Sequence, residues 1–167
     1  MRPLLGVGLG AVAVVVTAAV VVMGAAALSI TTAAITFPEV TLDGSDQTVD
    51  GSTSAWRADS TQRNGWHVTV ASTDFSNAES KTIAVSNFDI RLLDANIVWI
   101  SGDVDGPVST QTTFTALSGT PLKIASAAAS IGRGVYDLTP DFRLTVPAES
   151  YAGSYTATVT VDIANGP

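Results

Sequence analysis

The sequence has no cysteine and a single histidine among 167 residues. A thiolate or multi-histidine zinc site, a cysteine nucleophile and a disulfide scaffold are therefore all excluded. Charge is also scarce, at 14% of residues, with 8 basic side chains against 15 acidic and a net charge of −7. Binding to a phosphate backbone depends on clustered Lys and Arg, so nucleic acid is not an expected partner. Apolar residues make up 46% of the chain, which sets it apart from disordered sequences, where hydrophobicity is low and net charge high. No repeat of fixed period is visible, and no Pro- or Ser-rich linker divides the body.

The long apolar run stands at the start. From Leu4 to Leu28 no residue is charged, and Arg2 precedes the run. As a helix at about 1.5 Å per residue it would reach about 37 Å, enough to cross a bilayer core of about 30 Å. The positive start, the apolar core and the small-residue end Ala25-Ala26-Ala27 fit a secretory signal peptide. The length of the run, beyond the about 7–15 residues of an ordinary signal core, fits an uncleaved N-terminal membrane anchor. Residues 1–27 are expected to be one or the other, an apolar helix in both cases, with residues 28–167 outside the cytoplasm as one domain.

That domain reads as strands. Tyr155, Ala157, Val159, Val161 and Ile163 alternate with Thr156, Thr158, Thr160 and Asp162, the period-2 pattern of a half-buried strand. Trp66-Val68-Val70, Phe142-Leu144-Val146 and Phe88-Ile90-Leu92 repeat the pattern, and Ile97 to Ile100 reads as a short, more fully buried strand. Weaker candidates are 28–37, 40–42, 55–58, 82–85, 122–125 and 135–138. Asp43-Gly44, Asp50-Gly51, Asn64-Gly65, Asp105-Gly106-Pro107, Ser118-Gly119 and Gly132 to Gly134 are the expected turns, and Ala125 to Ser130 a loop. About ten short strands without an internal helix point to an all-β fold, an antiparallel β-sandwich of Ig-like, Greek-key connectivity.

Three phrases taken together resemble the WxL-domain family of Gram-positive bacterial surface proteins. They are Thr36-Phe37-Pro38-Glu39-Val40-Thr41-Leu42, the strand Gly65-Trp66-His67-Val68-Thr69-Val70, and the closing run from Tyr151 through Val161 to Gly166-Pro167. The first Trp-x-Leu motif of that family corresponds to Trp66-His67-Val68. At the second, Val161 and Ile163 stand at the matching positions and the tryptophan is not kept. The resemblance implies a non-covalent attachment to the cell wall, with peptidoglycan or another wall polymer, or a surface protein, as partner. Independently of it, the sequence shows neither a C-terminal sorting motif nor a lipobox cysteine, so retention at the surface is expected to depend on binding.

Few side chains can carry chemistry. An indole face can stack on a sugar while its N–H donates a hydrogen bond, which makes the three tryptophans the candidate contacts. Trp66 and Trp99 read as core from their apolar neighbours, and Trp56, between Ala55 and Arg57, is the better candidate for a contact. His67 points opposite Trp66 and reads as a solvent-facing strand histidine; no Gly-x-Ser-x-Gly elbow accompanies it. Trp56, Trp66 and His67 form the candidate binding set. Asp103-Val104-Asp105-Gly106 lacks the full spacing and closing Glu of a calcium loop and reads as an acidic turn. No catalytic residue, metal site or cofactor is expected. The chain is thus expected to be a secreted, non-enzymatic cell-surface protein, touching membrane only through an uncleaved N-terminus. The alternatives are a structural subunit of a surface layer or fibre assembling by strand addition, with the stretch 28–37 as donor, and a secreted hydrolase.

Overall fold

In a computed structural model the backbone of Ala11–Val20 and all of residues 27–167 are described. Among the described residues the fold is all-β and mostly antiparallel. In order the strands are β1 (Ala11–Val20), β2 (Leu28–Thr31), β3 (Ile35–Thr36), β4 (Val40–Thr41), β5 (Gln47–Thr53), β6 (Trp56–Ser60), β7 (Trp66–Ser72), β8 (Phe75–Ser76) and β9 (Thr82–Ile83). They continue as β10 (Phe88–Arg91), β11 (Ile97–Gly102), β12 (Val108–Ser109), β13 (Thr115–Ala116), β14 (Leu122–Ala127), β15 (Gly134–Leu138), β16 (Asp141–Val146) and β17 (Gly153–Asn165). Single 3-10 turns at Val85–Asn87 and Asp94–Asn96 lead into β10 and β11.

One large sheet has the order β12-β14-β7-β17-β1-β3-β5-β16-β10-β13, with β4, β8 and β9 beside this path; a second has the order β11-β15-β6-β2. Alternation sets what lies between them. On β7, Trp66, Val68 and Val70 are buried, on β16 Phe142, Leu144 and Val146, and on β17 Tyr155, Ala157, Val159, Val161 and Ile163. Each Val, Leu, Ile or Phe among them contributes about 1.5–3 kcal/mol when fully buried. Ring contacts join the two sheets: Trp56 of β6 meets Phe142 of β16 at 5.8 Å between centroids, and Trp66 of β7 meets Tyr136 of β15 at 6.1 Å.

Three expectations are corrected. The run from Ile97 to Ile100 is not buried: Val98 is 50% exposed, Trp99 48% and Ile100 43%. As β11 it forms an outer strand of the smaller sheet, paired with β15 across a register break between Trp99 and Ser101, and from Val98 onward both of its faces are exposed, so no other element covers it. Asp50-Gly51 is not a turn but the middle of β5, with Gly51 opposite Phe142. The ring of Phe37 lies where a Gly51 Cβ would project, 2.6 Å from that position, so the missing side chain makes room for a neighbour and does not bend the chain. Ala125 to Ser130 is not wholly a loop, because its first three residues complete β14; within the chain the stretch 28–37 is paired, β2 with β6 and β3 with β5.

Of the expected N-terminal helix, residues 1–10 and 21–26 lie outside the described residues. Between them Ala11–Val20 is extended and lies beside β17. A run in which nearly every residue is apolar has no periodicity to separate helix from strand. Among the described residues no helix is long and apolar enough to cross a membrane.

Candidate functional site

The tryptophans divide differently from their sequence neighbourhoods. Trp56 is 0% exposed, and its Nε1–H donates to Thr53 Oγ1 at 3.3 Å. The polar residues around it in sequence face away, because Arg57 and Asp59 alternate with buried Trp56, Ala58 and Ser60 along β6. The expected contact at Trp56 is therefore corrected: no face of its ring is open to a ligand. Trp66 is 1% exposed, as its place on an apolar strand face predicts, and its Nε1–H donates to the carbonyl of Gly132 at 2.8 Å. Gly132 holds φ +77°, and a Cβ there would come within 2.5 Å of Ala127 Cβ and 3.1 Å of the indole nitrogen. A glycine turn thus receives the indole, and Trp66 is likewise unavailable as a stacking surface. Trp99, expected in the core, is the exposed one.

His67 lies on the opposite face of β7 from Trp66, half-buried, with Nδ1 2.6 Å from the carbonyl oxygen of Gly166. That contact ties the C-terminal end of β17 to β7 and occupies one ring nitrogen. The three residues of the candidate set therefore do not converge: two are core and the third braces a chain end. Near the Asp103–Gly106 turn, Arg63 reaches Asp103 at 3.2 Å and Tyr136 Oη donates to the Asp103 backbone carbonyl at 2.6 Å. Among the described residues no group of three His, Cys, Asp or Glu side chains is placed to hold a metal ion.

A different place on the surface gathers polar groups. A cleft of about 430 Å³ opens between the segments 80–87 and 147–151, lined by Lys81, Asn87, Glu149 and Tyr151 together with the serines Ser80 and Ser150. Local hydrogen bonding shapes its first wall. Asn77 Oδ1 accepts from the backbone N–H of Glu79 at 3.0 Å and of Lys81 at 2.8 Å, and Ser80 takes φ +59° at the tip. The second wall is a turn closed by Ser150 N–H donating to Pro147 O at 3.0 Å. It is fixed to the core where Tyr155 Oη donates to the Tyr151 carbonyl at 3.0 Å. Tyr151 itself is 56% exposed, and the Lys81 ammonium stands 4.2 Å from its ring centroid.

Arg57, Arg63, Arg91 and Arg143 each pair with an aspartate, Arg91 and Arg143 standing over the Phe114 ring as well, and Lys81 lies over the Tyr151 ring at the cleft. Ammonium, carboxylate, amide, hydroxyls and an aromatic surface in one opening can take a ligand that is both hydroxylated and charged. The lining contains one carboxylate, Glu149, whereas the usual glycosidase mechanisms need two flanking the scissile bond. Sequence reasoning missed this cleft because Lys81 and Tyr151 are 70 positions apart in polar turns, without a motif to join them.

No family model matches the chain, and no curated protein matches it. Among solved structures it is similar to a family 123 glycoside hydrolase from Clostridium perfringens, studied for glycolipid glycan hydrolysis. The identity is 11% and the TM-score 0.33, over 74% of this chain and 21% of that one. A likeness of that degree carries no argument about fold or activity.

Proposed function

We propose that this chain is an exported, non-enzymatic surface domain, a WxL-like β-sandwich of Ig-like, Greek-key type over residues 28–167 that attaches non-covalently to the cell wall. The observation that carries the reading is the cleft between 80–87 and 147–151, where the exposed Tyr151 ring lies beside the Lys81 ammonium and the cleft is lined also by Glu149 and serine hydroxyls. Wall polymer offers matching chemistry: sugar hydroxyls for Ser80, Ser150 and Asn87, and peptide or polymer anions for Lys81. The sequence supports export through its positive start and apolar run, and supports a binding role by its lack of thiols and of paired histidines. The single carboxylate in the cleft favours binding over hydrolysis.

Retention of the full chain on purified cell walls tests the proposal, with Tyr151→Ala and Lys81→Ala beside it. Both variants should lose retention with unchanged thermal unfolding, since both side chains stand at the surface. Retention no better than that of an unrelated acidic β-protein would overturn it.

A further inference from the structure

The strand beside β17 is the one parallel pairing among the described residues. β1 runs alongside β17 from Val12 opposite Gly153 to Val20 opposite Val161. Its other edge pairs antiparallel with β3, through Val15–Thr36 and Val16–Ile35, and with β4, through Ala11–Thr41 and Val12–Val40. Among the described residues, β1 is the only link in the strand order of the large sheet between the half ending in β17 and the half beginning at β3. Removing it would leave the β17 backbone from Gly153 to Val161 unpaired along that edge, beside the buried row Tyr155, Ala157, Val159 and Val161. Such a row of free N–H and C=O groups beside an apolar face is a template for an added strand.

The segment that fills the slot, AVAVVVTAAV, has no charge, no proline and no glycine, and valine and alanine dominate it. It joins the described body through residues 21–27 alone, and β2, where that body begins, belongs to the other sheet. Exchange of this segment between copies breaks its pairings to β17, β3 and β4 and remakes the same pairings in the neighbour. The contacts made are identical, so exchange is opposed only by the effective concentration of the tethered strand. Donor and acceptor are different surfaces, hence each copy gives one strand and takes another, head to tail, a contact that closes into a ring or continues as a fibre.

We propose that the slot between β17 and β3–β4 is a strand-acceptor site whose occupant in the assembled protein is Ala11–Val20 of a second copy. The proposal uses neither the cleft nor wall binding, so either can fail without the other, but it requires that Ala11–Val20 stay on the exported chain and not be removed as a signal peptide. The absence of cysteine makes a direct test clean. Thr17 and Thr158 are register partners and Thr158 is exposed; neighbouring strands lie about 4.7–4.9 Å apart, inside the Cα separation of about 4.4–6.8 Å that a disulfide spans.

Full-length Thr17→Cys and Thr158→Cys chains carrying tags of different mass are mixed at rising concentration and oxidised, beside a control mixture of Thr17→Cys with Ser54→Cys. The expected result is a covalent heterodimer that grows with concentration and does not form in the control, together with a ladder of higher species from the double variant. The proposal is overturned if the double variant yields only an internally linked monomer at every concentration, if no link forms between the two positions, or if the exported protein begins beyond Val20.

Discussion

Replacing Trp66 separates a core role from a ligand-stacking role at the residue that carries the first Trp-x-Val phrase. In the structure its ring is buried against Tyr136, and its N–H satisfies the Gly132 carbonyl at 2.8 Å. Trp66→Phe keeps most of the apolar burial and removes the donor. A buried carbonyl left without a partner costs about 1–3 kcal/mol, and the smaller ring leaves some unfilled volume besides. Trp66→Ala removes the ring as well, and aromatic truncations in a core cost about 3–5 kcal/mol. For a chain of this length each kcal/mol lowers the midpoint by about 2–4 °C, so the alanine variant should melt about 6–20 °C lower and the phenylalanine variant fall between it and the parent. Circular dichroism during thermal and urea unfolding measures this without relying on tryptophan emission. Folded Trp66→Phe protein should also stay on cell walls as well as the parent does. A Trp66→Ala variant that unfolds within about 1 kcal/mol of the parent would refute the core assignment, since surface substitutions stay near or below that size. Loss of wall retention by a fully folded Trp66→Phe variant would refute it from the other side.

The remaining predictions concern other parts of the fold. Gly51→Ala directs a Cβ to 2.6 Å from the Phe37 ring, and overpacking of this kind should cost about 1–3 kcal/mol in urea unfolding; a neutral result would mean that Phe37 does not cover β5. Trp99→Ala, at a half-exposed edge position, should change stability by less than about 1 kcal/mol, and a larger loss would place that ring in the core. Burial first, and then the nearby Asp103 and Asp105 charges, hold the Tyr136 phenol above its ordinary value of 10. A folded pKa above the unfolded one means that the folded state binds the proton more tightly. The associated stability is complete below about pH 10 and is lost as pH rises through the folded value. Tyr136→Phe should therefore cost about 1 kcal/mol at neutral pH through its hydrogen bond to Asp103 O, yet flatten the alkaline decline that Tyr155, also raised mainly by burial, continues to produce. An alkaline limb identical to the parent's would count against the buried phenol.

Strand identity was legible wherever one face meets the core and the other meets water, because the two-residue period then writes itself into the sequence. β7, β10, β16 and β17 are of this kind, and the β17 pattern runs from Tyr155 to Ile163 without an error. β5 was not legible. Its QTVDGST has half-buried residues on one face and exposed ones on the other, and it holds its place by pairing with β16 and by lying under Phe37. Local composition misled for Trp56 and Trp99 because exposure depends on which face of a strand another element covers: alternate residues of β6 are buried, Trp56 against Phe142 of β16, whereas β11 is exposed on both faces from Val98 onward.

The class of fold, the inward faces of the long strands and the poverty of reactive side chains could all be read before any coordinates, since each follows from residue type and spacing along one chain. Tertiary structure alone decided which tryptophans are buried, that turns 70 positions apart build one cleft, and that Ala11–Val20 bridges the two halves of a sheet. Those are relations between segments distant in sequence, fixed by strand order and register.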